Sequence, residues 1–224
     1  MGVLSGSRAL SDAVEGDRVE EYPRWVRGRL GGETVVDSKR AKLLYRADRR
    51  LPVWVFPEQD VRLDRVPEDA VDRHGELIHV DFGALDEWLE EDEPQLGHPP
   101  DPYHRIDVRR TSRAIRVSID GRTVAETTRA RALFETGLPV RWYIPREHVV
   151  AELELSDRRT ICAYKGHATH YSVAGQEAIA WSYPDPLHDA VPIRDLVAFY
   201  DERVDVEVDG ERRQRPETQW SPRP

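Results

Sequence analysis

The segment ICAYKGHATHY, residues 161–171, holds the side chains best suited to chemistry. It contains the only cysteine, Cys162, and one of three lysines, Lys165, in a chain with thirty arginines. The pKa of a lysine side chain can shift when it is buried, and its amine can form a Schiff base. A guanidinium does neither. A cysteine thiolate is a strong nucleophile when a nearby positive charge favours it. The segment therefore predicts a reactive site built on Lys165 and Cys162.

Each of these residues also has a structural interpretation, and both interpretations stay open. Lys165 precedes Gly166, so it is equally typical of a surface charge beside a turn. Cys162 follows the apolar Ile161, and a free cysteine is among the most buried residue types. A metal site joining Cys162, His167 and His170 is disfavoured, because residues three apart on a strand point to opposite faces of the sheet. We expect no metal and no cofactor.

Aromatic side chains are dense around the same segment. They pack as a half-buried core or form the wall of a ligand pocket, which combines aromatic surface with a few polar groups. The predicted ligand-binding residues are Tyr164, His167, His170, Tyr171, Trp181 and Tyr183. Asp185 lies between Pro184 and Pro186, so its stiff backbone would aim its carboxylate at a histidine or at Lys165, or cap a turn. Lys165, Cys162 and Asp185 are the predicted catalytic residues.

These residues must be positioned mainly by β-strands. The sequence RVSI-DG-RTVAE, residues 116–126, alternates apolar and polar residues around an Asp-Gly pair, which is a strong β-hairpin signal. Prolines at 57, 145, 184 and 186 interrupt the chain and exclude long helices there. Short helices are predicted at ALDEWLEED, residues 84–92, and at PIRDL, residues 192–196. The fold class is therefore mainly β, with few short helices.

The chain also resembles itself. Residues 25–61 align with residues 115–150, so that Arg40-Ala41 falls on Arg129-Ala130, and Trp54 and Pro57 on Trp142 and Pro145. Two similar compact antiparallel β domains are predicted, with the residues of the predicted site only in the second. The expected organisation is an N-terminal extension (1–22), a degenerate first copy (23–94), a Pro-rich joint (95–113), a complete second copy (114–212) and a C-terminal tail (213–224).

The second copy resembles the family known as domain of unknown function 427. The resemblance rests on ETGLPVRWYIPREHV, CAYKGHATHYS, AWSYPDPL and LVAFY, which follow one another in this order. It implies the tandem form common in actinobacteria and a compact fold of the Mss-four-like or β-tent kind. The family usually has proline where this chain has Ala163, and an aromatic residue where it has His170. The resemblance implies a fold and a motif, and no established reaction.

Composition limits the partners. The formal net charge of −9 disfavours nucleic acid, which is bound through clustered positive charge. No apolar run is long enough for a membrane span, and the N-terminus lacks the apolar stretch of a secretory signal. One cysteine allows no internal disulfide, so we expect a cytoplasmic protein. The internal repeat predicts a monomer in which the copies pack as a pseudo-dimer, or a weak homo-oligomer.

Three functions remain open. The first is an enzyme acting on a small molecule in a pocket around residues 162–166. The second is a module that binds a small molecule or peptide without changing it. The third is a structural or interaction protein in which the segment forms only a turn and a core. The rarity of lysine and cysteine in the chain favours the enzyme.

Overall fold

The computed structural model describes residues 16–222, which fold as two compact units, one ending at Pro102 and the other beginning at Tyr103. Within these residues every sheet is antiparallel and every helix is a short 3₁₀ helix. The predicted mainly β fold is therefore confirmed. In the described part of the chain, no helix has the length and apolar character needed to cross a membrane.

Unit 1 contains two sheets. Its strands are β1 (Arg18–Glu21), β2 (Val26–Leu30), β3 (Glu33–Ser38), β4 (Lys42–Tyr45), β5 (Val53–Pro57), β6 (Val71–His74), β7 (Leu77–Val80), β8 (Glu87–Glu90) and β9 (Glu93–Gln95). One sheet has the order β1-β4-β5-β7-β6 and the other β3-β2-β8-β9. The 3₁₀ helices of this unit are Glu58–Asp60, Glu68–Ala70 and Phe82–Ala84.

Unit 2 contains three sheets. Its strands are β10 (Ile106–Arg110), β11 (Ile115–Ile119), β12 (Arg122–Thr127), β13 (Arg131–Glu135), β14 (Arg141–Tyr143), β15 (Glu154–Cys162), β16 (Gly166–Val173), β17 (Gln176–Ser182), β18 (Ala198–Phe199), β19 (Asp205–Val208) and β20 (Glu211–Arg212). The sheets have the orders β10-β13-β14, β12-β11-β19-β20 and β15-β16-β17-β18. The 3₁₀ helices are Arg146–His148 and His188–Ile193.

Each unit has its own hydrophobic core. Trp54, Phe56 and Trp88 are central in unit 1, where Trp54 and Trp88 lie with ring centroids 5.3 Å apart. In unit 2 a single cluster of buried side chains extends from Ile115 to Val208. Alternation along the strands places these apolar residues on the inner faces.

The two units repeat one strand arrangement. The β2–β3 hairpin pairs Val26 with Ser38 and has its bulge after Gly28, and the β11–β12 hairpin pairs Ile115 with Thr127 and has its bulge after Val117. In each of these sheets the first strand of the hairpin also pairs with a later strand: β2 pairs with β8, and β11 pairs with β19. The predicted hairpin at residues 116–126 is present, with positive φ at Asp120 and Gly121. The tandem origin and the pseudo-dimer stay predictions.

One predicted helix is wrong. Residues 87–90 of ALDEWLEED form strand β8, which pairs with β2 on one side and with β9 on the other. Pairing on both sides and burial of Trp88 outweigh the helical propensity of the glutamates. At PIRDL, only residues 192–193 belong to a 3₁₀ helix.

The predicted domain boundaries stay a prediction, with two observations beside them. Residues 1–15 of the expected N-terminal extension lie outside the described residues, and its last part forms β1, which pairs with β4. The expected joint contributes β10, which pairs with β13 in unit 2. Unit 2 therefore includes a strand that precedes the predicted second copy.

Candidate functional site

The turn at residues 162–166 is fixed by a neighbouring segment of backbone. It joins β15 to β16, and the N–H of Lys165 donates to the carbonyl of Cys162 at 3.3 Å. The N–H of Leu187 in turn donates to the carbonyl of Lys165 at 3.1 Å. Gly166 has φ +100°, and a Cβ there would lie 3.2 Å from the carbonyl oxygen of Asp185. The AYKG and YPDPL sequences thus form one backbone assembly.

Lys165 lies in a buried network of ionisable groups. Its side chain is 9% exposed, and its Nζ donates to Oε2 of Glu135 at 2.5 Å. The other carboxylate oxygen of Glu135 lies 3.0 Å from Nε2 of His104. Glu135 ends β13, where it is opposite Ile106, the first residue of β10, and His104 lies two residues before Ile106. One carboxylate therefore holds both a lysine and a histidine.

Neighbouring groups set the pKa of the Glu135 carboxyl and therefore its charge. Burial alone would raise the pKa of its carboxyl, but the hydrogen bond from His104 and the Lys165 ammonium outweigh burial and keep that pKa below its ordinary value. Glu135 is therefore ionised at neutral pH. The arrangement is a carboxylate that orients two potential proton donors.

Four more polar side chains lie around the network. Cys162 is half-buried and packs against the core, and the Tyr164 ring stacks on His104 with centroids 4.5 Å apart. Burial raises the pKa of Tyr143 and of Tyr183, and the nearby Glu135 and Cys162 raise both further. The two phenols therefore remain protonated at neutral pH and can donate hydrogen bonds.

The predicted ligand-binding residues divide between surface and core. His167 is exposed, whereas Tyr171, Trp181 and Tyr183 are buried in the main cluster of unit 2. Trp181 donates from Nε1 to the hydroxyl of Tyr143 at 3.2 Å. The aromatic set therefore packs as a core around the turn, and its role as a pocket wall stays a prediction.

His170 is fully buried. Its Nε2 lies 2.9 Å from Oγ1 of Thr160, while its Nδ1 has no hydrogen-bond partner among the described residues. Burial, followed by the positive charges of Arg158 and Arg159, lowers the pKa of His170 to about 4. The ring is therefore neutral at physiological pH, and it stacks on Tyr200 at 6.4 Å.

The predicted contact between Asp185 and Lys165 is absent from the structure. The side chain of Asp185 is 97% exposed, and its carboxylate lies 3.5 Å from Arg194. The YPDPL segment does reach the turn, but it does so through its backbone, as described above. Glu135 provides the carboxylate that contacts Lys165.

Sequence reasoning missed a second buried charge cluster. Arg141 on β14 forms an ion pair with the fully buried Glu202 and lies 3.6 Å from Asp201. Thr218 also donates to Glu202, at 2.5 Å. Burial raises the pKa of Asp201 to about 7 despite the proximity of Arg141. This cluster therefore contains a carboxyl group that titrates near neutral pH.

A metal centre has no support in the described geometry. Among residues 16–222, no three His, Cys, Asp or Glu side chains come together in an arrangement that could hold a metal ion. His167 and His170, which a metal site would have to share, differ sharply in burial because they alternate along β16.

Comparison with known proteins supports the resemblance of the second half. Residues 107–210 match the model of a protein family described as a domain of unknown function (DUF427). The matched region contains Glu135, Cys162 and Lys165, and begins just after His104. A comparison with curated proteins gives no match. The family match therefore identifies unit 2 as similar to a domain family, without an activity.

Proposed function

We propose that unit 2 is an enzyme that acts on a small molecule at the 162–166 turn. The observation that carries the proposal is Glu135, whose carboxylate is shared by Lys165 and His104 beside the only thiol of the chain. A buried carboxyl whose pKa is shifted by specific charged partners, as that of Glu135 is, is typical of catalytic sites. Buried ion pairs also occur for structural reasons alone, so activity is the decisive test.

The geometry supports a distinct role for each group. Glu135 orients its two partners, and the Lys165 ammonium can stabilise negative charge that develops on a substrate. His104, whose side chain is 19% exposed, is the group best placed to move a proton to or from solvent or substrate. Cys162 is the candidate nucleophile, and the phenols of Tyr143 and Tyr183 are candidate hydrogen-bond donors.

We further propose that the chain is a tandem duplication with a degenerate first unit. The support is the shared hairpin register and bulge of the two units, together with the internal sequence repeat. The pairing Lys42–Val55 in unit 1 corresponds to Arg131–Tyr143 in unit 2, which places Arg46 at the position of Glu135. Unit 1 therefore lacks the carboxylate on which the proposed site depends.

The enzyme proposal is tested by incubating the protein with a small-molecule metabolite extract and following every component by mass spectrometry. We expect the wild-type protein to deplete a substrate and form a product, and the Glu135→Gln variant to do so at least about a hundredfold more slowly. Lys42→Met, which removes an exposed lysine from unit 1, is the matched control and should behave as wild type. Equal turnover by wild type and Glu135→Gln would contradict the proposed site.

Non-catalytic binding is a second candidate, favoured by a cavity in unit 1. A hollow of about 340 Å³ is lined largely by apolar side chains, including Leu51, Pro52, Trp54 and Phe82. This volume is in the range of small-molecule pockets. A ligand that raises the melting temperature and is recovered chemically unchanged would support binding without catalysis.

A further inference from the structure

Two arginines face each other across the β10–β13 ladder. Arg110 of β10 is directly opposite Arg131 of β13. Directly opposed residues of an antiparallel pair project from the same face, and like charges at such positions are destabilising. Within residues 16–222, neither guanidinium has an ion pair or hydrogen bond with a carboxylate. This cost has no compensation inside unit 2.

Unit 1 has a pair of opposite charges at the corresponding position. There, β1 pairs with β4 so that Glu21 is opposite Lys42, and their side chains form an ion pair at 2.6 Å. The backbone bond from Tyr22 to Ala41 corresponds to the bond from Thr111 to Ala130, which shows that the two positions are equivalent. One fold position thus carries a neutral pair in unit 1 and two positive charges in unit 2.

The opposed arginines line a hollow of about 480 Å³ together with a third arginine, Arg129, and the threonines Thr111 and Thr128. Thr111 accepts a hydrogen bond from the N–H of Arg113, which leaves its hydroxyl hydrogen available to a ligand. The hollow therefore offers hydroxyl groups beside the guanidinium groups.

The remaining charges around the hollow are few. Glu147, which also lines it, is bound to Arg129 at 2.9 Å. Nε2 of His148 lies 2.8 Å from Arg129 and accepts from it, so the ring carries its hydrogen on Nδ1, toward Thr127. Since Glu147 offsets Arg129, the surplus charge of the residues that line the hollow is the two positive charges of Arg110 and Arg131.

We propose that this hollow binds the phosphate group of a small molecule. Guanidinium groups bind phosphate through paired, charge-assisted hydrogen bonds, and two adjacent arginines match a doubly charged oxyanion. The proposal does not depend on the enzyme proposal, because the Arg110–Arg131 pair is four positions along the β10–β13 ladder from the Ile106–Glu135 pair.

The test is a calorimetric titration of the full chain with inorganic phosphate, against sodium chloride at matched ionic strength. Arg110→Glu recreates the acid–base pair that unit 1 has at this position. We expect it to weaken phosphate binding at least about tenfold, and to leave the melting temperature without phosphate unchanged or higher. Arg122→Gln, which removes an exposed arginine from β12, should bind phosphate as wild type does.

The opposing results are equally definite. Wild-type protein that does not bind phosphate beyond the chloride control would overturn the proposal. Equal phosphate binding by wild type and Arg110→Glu would also overturn it. So would equal losses of phosphate affinity in Arg110→Glu and Arg122→Gln, because this result would mean general attraction of phosphate to a charged surface. If Arg110→Glu is destabilised, Arg110→Gln and Arg131→Gln decide the question, since each removes one charge without adding another.

Discussion

Lys165 is unusual in the sequence because of its residue type and unusual in the structure because of its burial. A buried ammonium is costly unless a counter-charge lies in hydrogen-bond contact. Glu135 provides that charge at 2.5 Å, with both side chains 9% exposed. Removal of Lys165 would leave the buried Glu135 with only His104, and removal of the Glu135 charge would deprive the buried Lys165 of this counter-charge. Variants at this site must therefore be judged for stability as well as for activity.

We expect Lys165→Met to lower the free energy of unfolding by about 3–5 kcal/mol, because it leaves Glu135 with only His104. The double variant Lys165→Met/Glu135→Gln should recover part of that loss. The matched control is the exposed pair Lys42–Glu21, where Lys42→Met should cost less than about 1 kcal/mol. Urea unfolding of wild type and these three variants measures the differences in free energy of unfolding. Equal losses of stability in Lys165→Met and Lys42→Met would show that the Lys165 pair is no more than a surface interaction.

Asp201 gives a pH dependence of stability with a definite sign. Its pKa is raised to about 7 in the folded chain, above the value of about 3.9 for an unfolded chain. The folded state therefore binds more protons between these values, and the contribution of Asp201 to stability is lost as pH rises from about 4 to 7. Asp201→Asn should remove this contribution to the slope of the free energy of unfolding against pH.

Chemical unfolding at pH 5, 6 and 7 measures the contribution of Asp201 as the difference in free energy of unfolding between wild type and Asp201→Asn. His170, with a lowered pKa of about 4, contributes the opposite slope, because its stabilising effect is lost as pH falls from about 6.5. Both proteins retain His170, so its contribution cancels in the difference. Parallel pH profiles for the two proteins would be inconsistent with a raised pKa at Asp201.

Among the elements, the 162–166 turn depends most strongly on one backbone conformation. Gly166 combines φ +100° with close backbone neighbours, whereas Gly175 has φ +77° and open space around the position of a Cβ. We expect Gly166→Ala to be more destabilising than Gly175→Ala by about 1–2 kcal/mol, because only the first adds steric contact to backbone strain. Thermal unfolding of the two variants tests this, and equal losses would mean that the contact with the 185–187 backbone is unimportant.

Local sequence signals predicted the elements that depend on local structure. The Asp-Gly pair and strict alternation predicted the β11–β12 hairpin, which has the expected positive φ at both turn residues. Strand β8 was missed because its identity depends on partners that are distant in sequence, β2 in particular. The contact between Lys165 and Glu135 was missed for the same reason, since it spans thirty residues and joins the β10-β13-β14 sheet to the β15–β16 turn.

The alignment of residues 25–61 with residues 115–150 contained a signal for Glu135. The position aligned with Glu135 is Arg46, so the two segments carry opposite charges there. A charge difference between aligned positions was therefore a signal for Glu135 that composition alone does not contain. The difference between Arg110 and Glu21 lies outside the aligned segments and required the registers of β1 against β4 and of β10 against β13. Prediction of His104 as a partner of Glu135 required the register of β10 against β13.

For the whole molecule, each unit builds a core from its own residues. The large cluster in unit 2 draws on residues 115–208, and the clusters of unit 1 on residues 22–88. We therefore expect residues 103–224, produced alone, to fold cooperatively with a β-rich circular dichroism spectrum and a single unfolding transition. A chain of these residues that stays unfolded would contradict this division.

The reactivity of Cys162 is the most direct measure of whether the 162–166 turn is a chemical site. Because it is the only thiol, its rate of alkylation by iodoacetamide can be measured in the native protein, in Lys165→Met/Glu135→Gln and in the Lys42→Met control. We expect native wild-type protein and Lys42→Met to be alkylated without unfolding, because Cys162 is half-buried. The double variant should be alkylated several-fold more slowly, because it lacks the lysine beside the turn that would increase thiol reactivity. Alkylation only at the rate of global unfolding, or at equal rates in all three proteins, would contradict a reactive site at this turn.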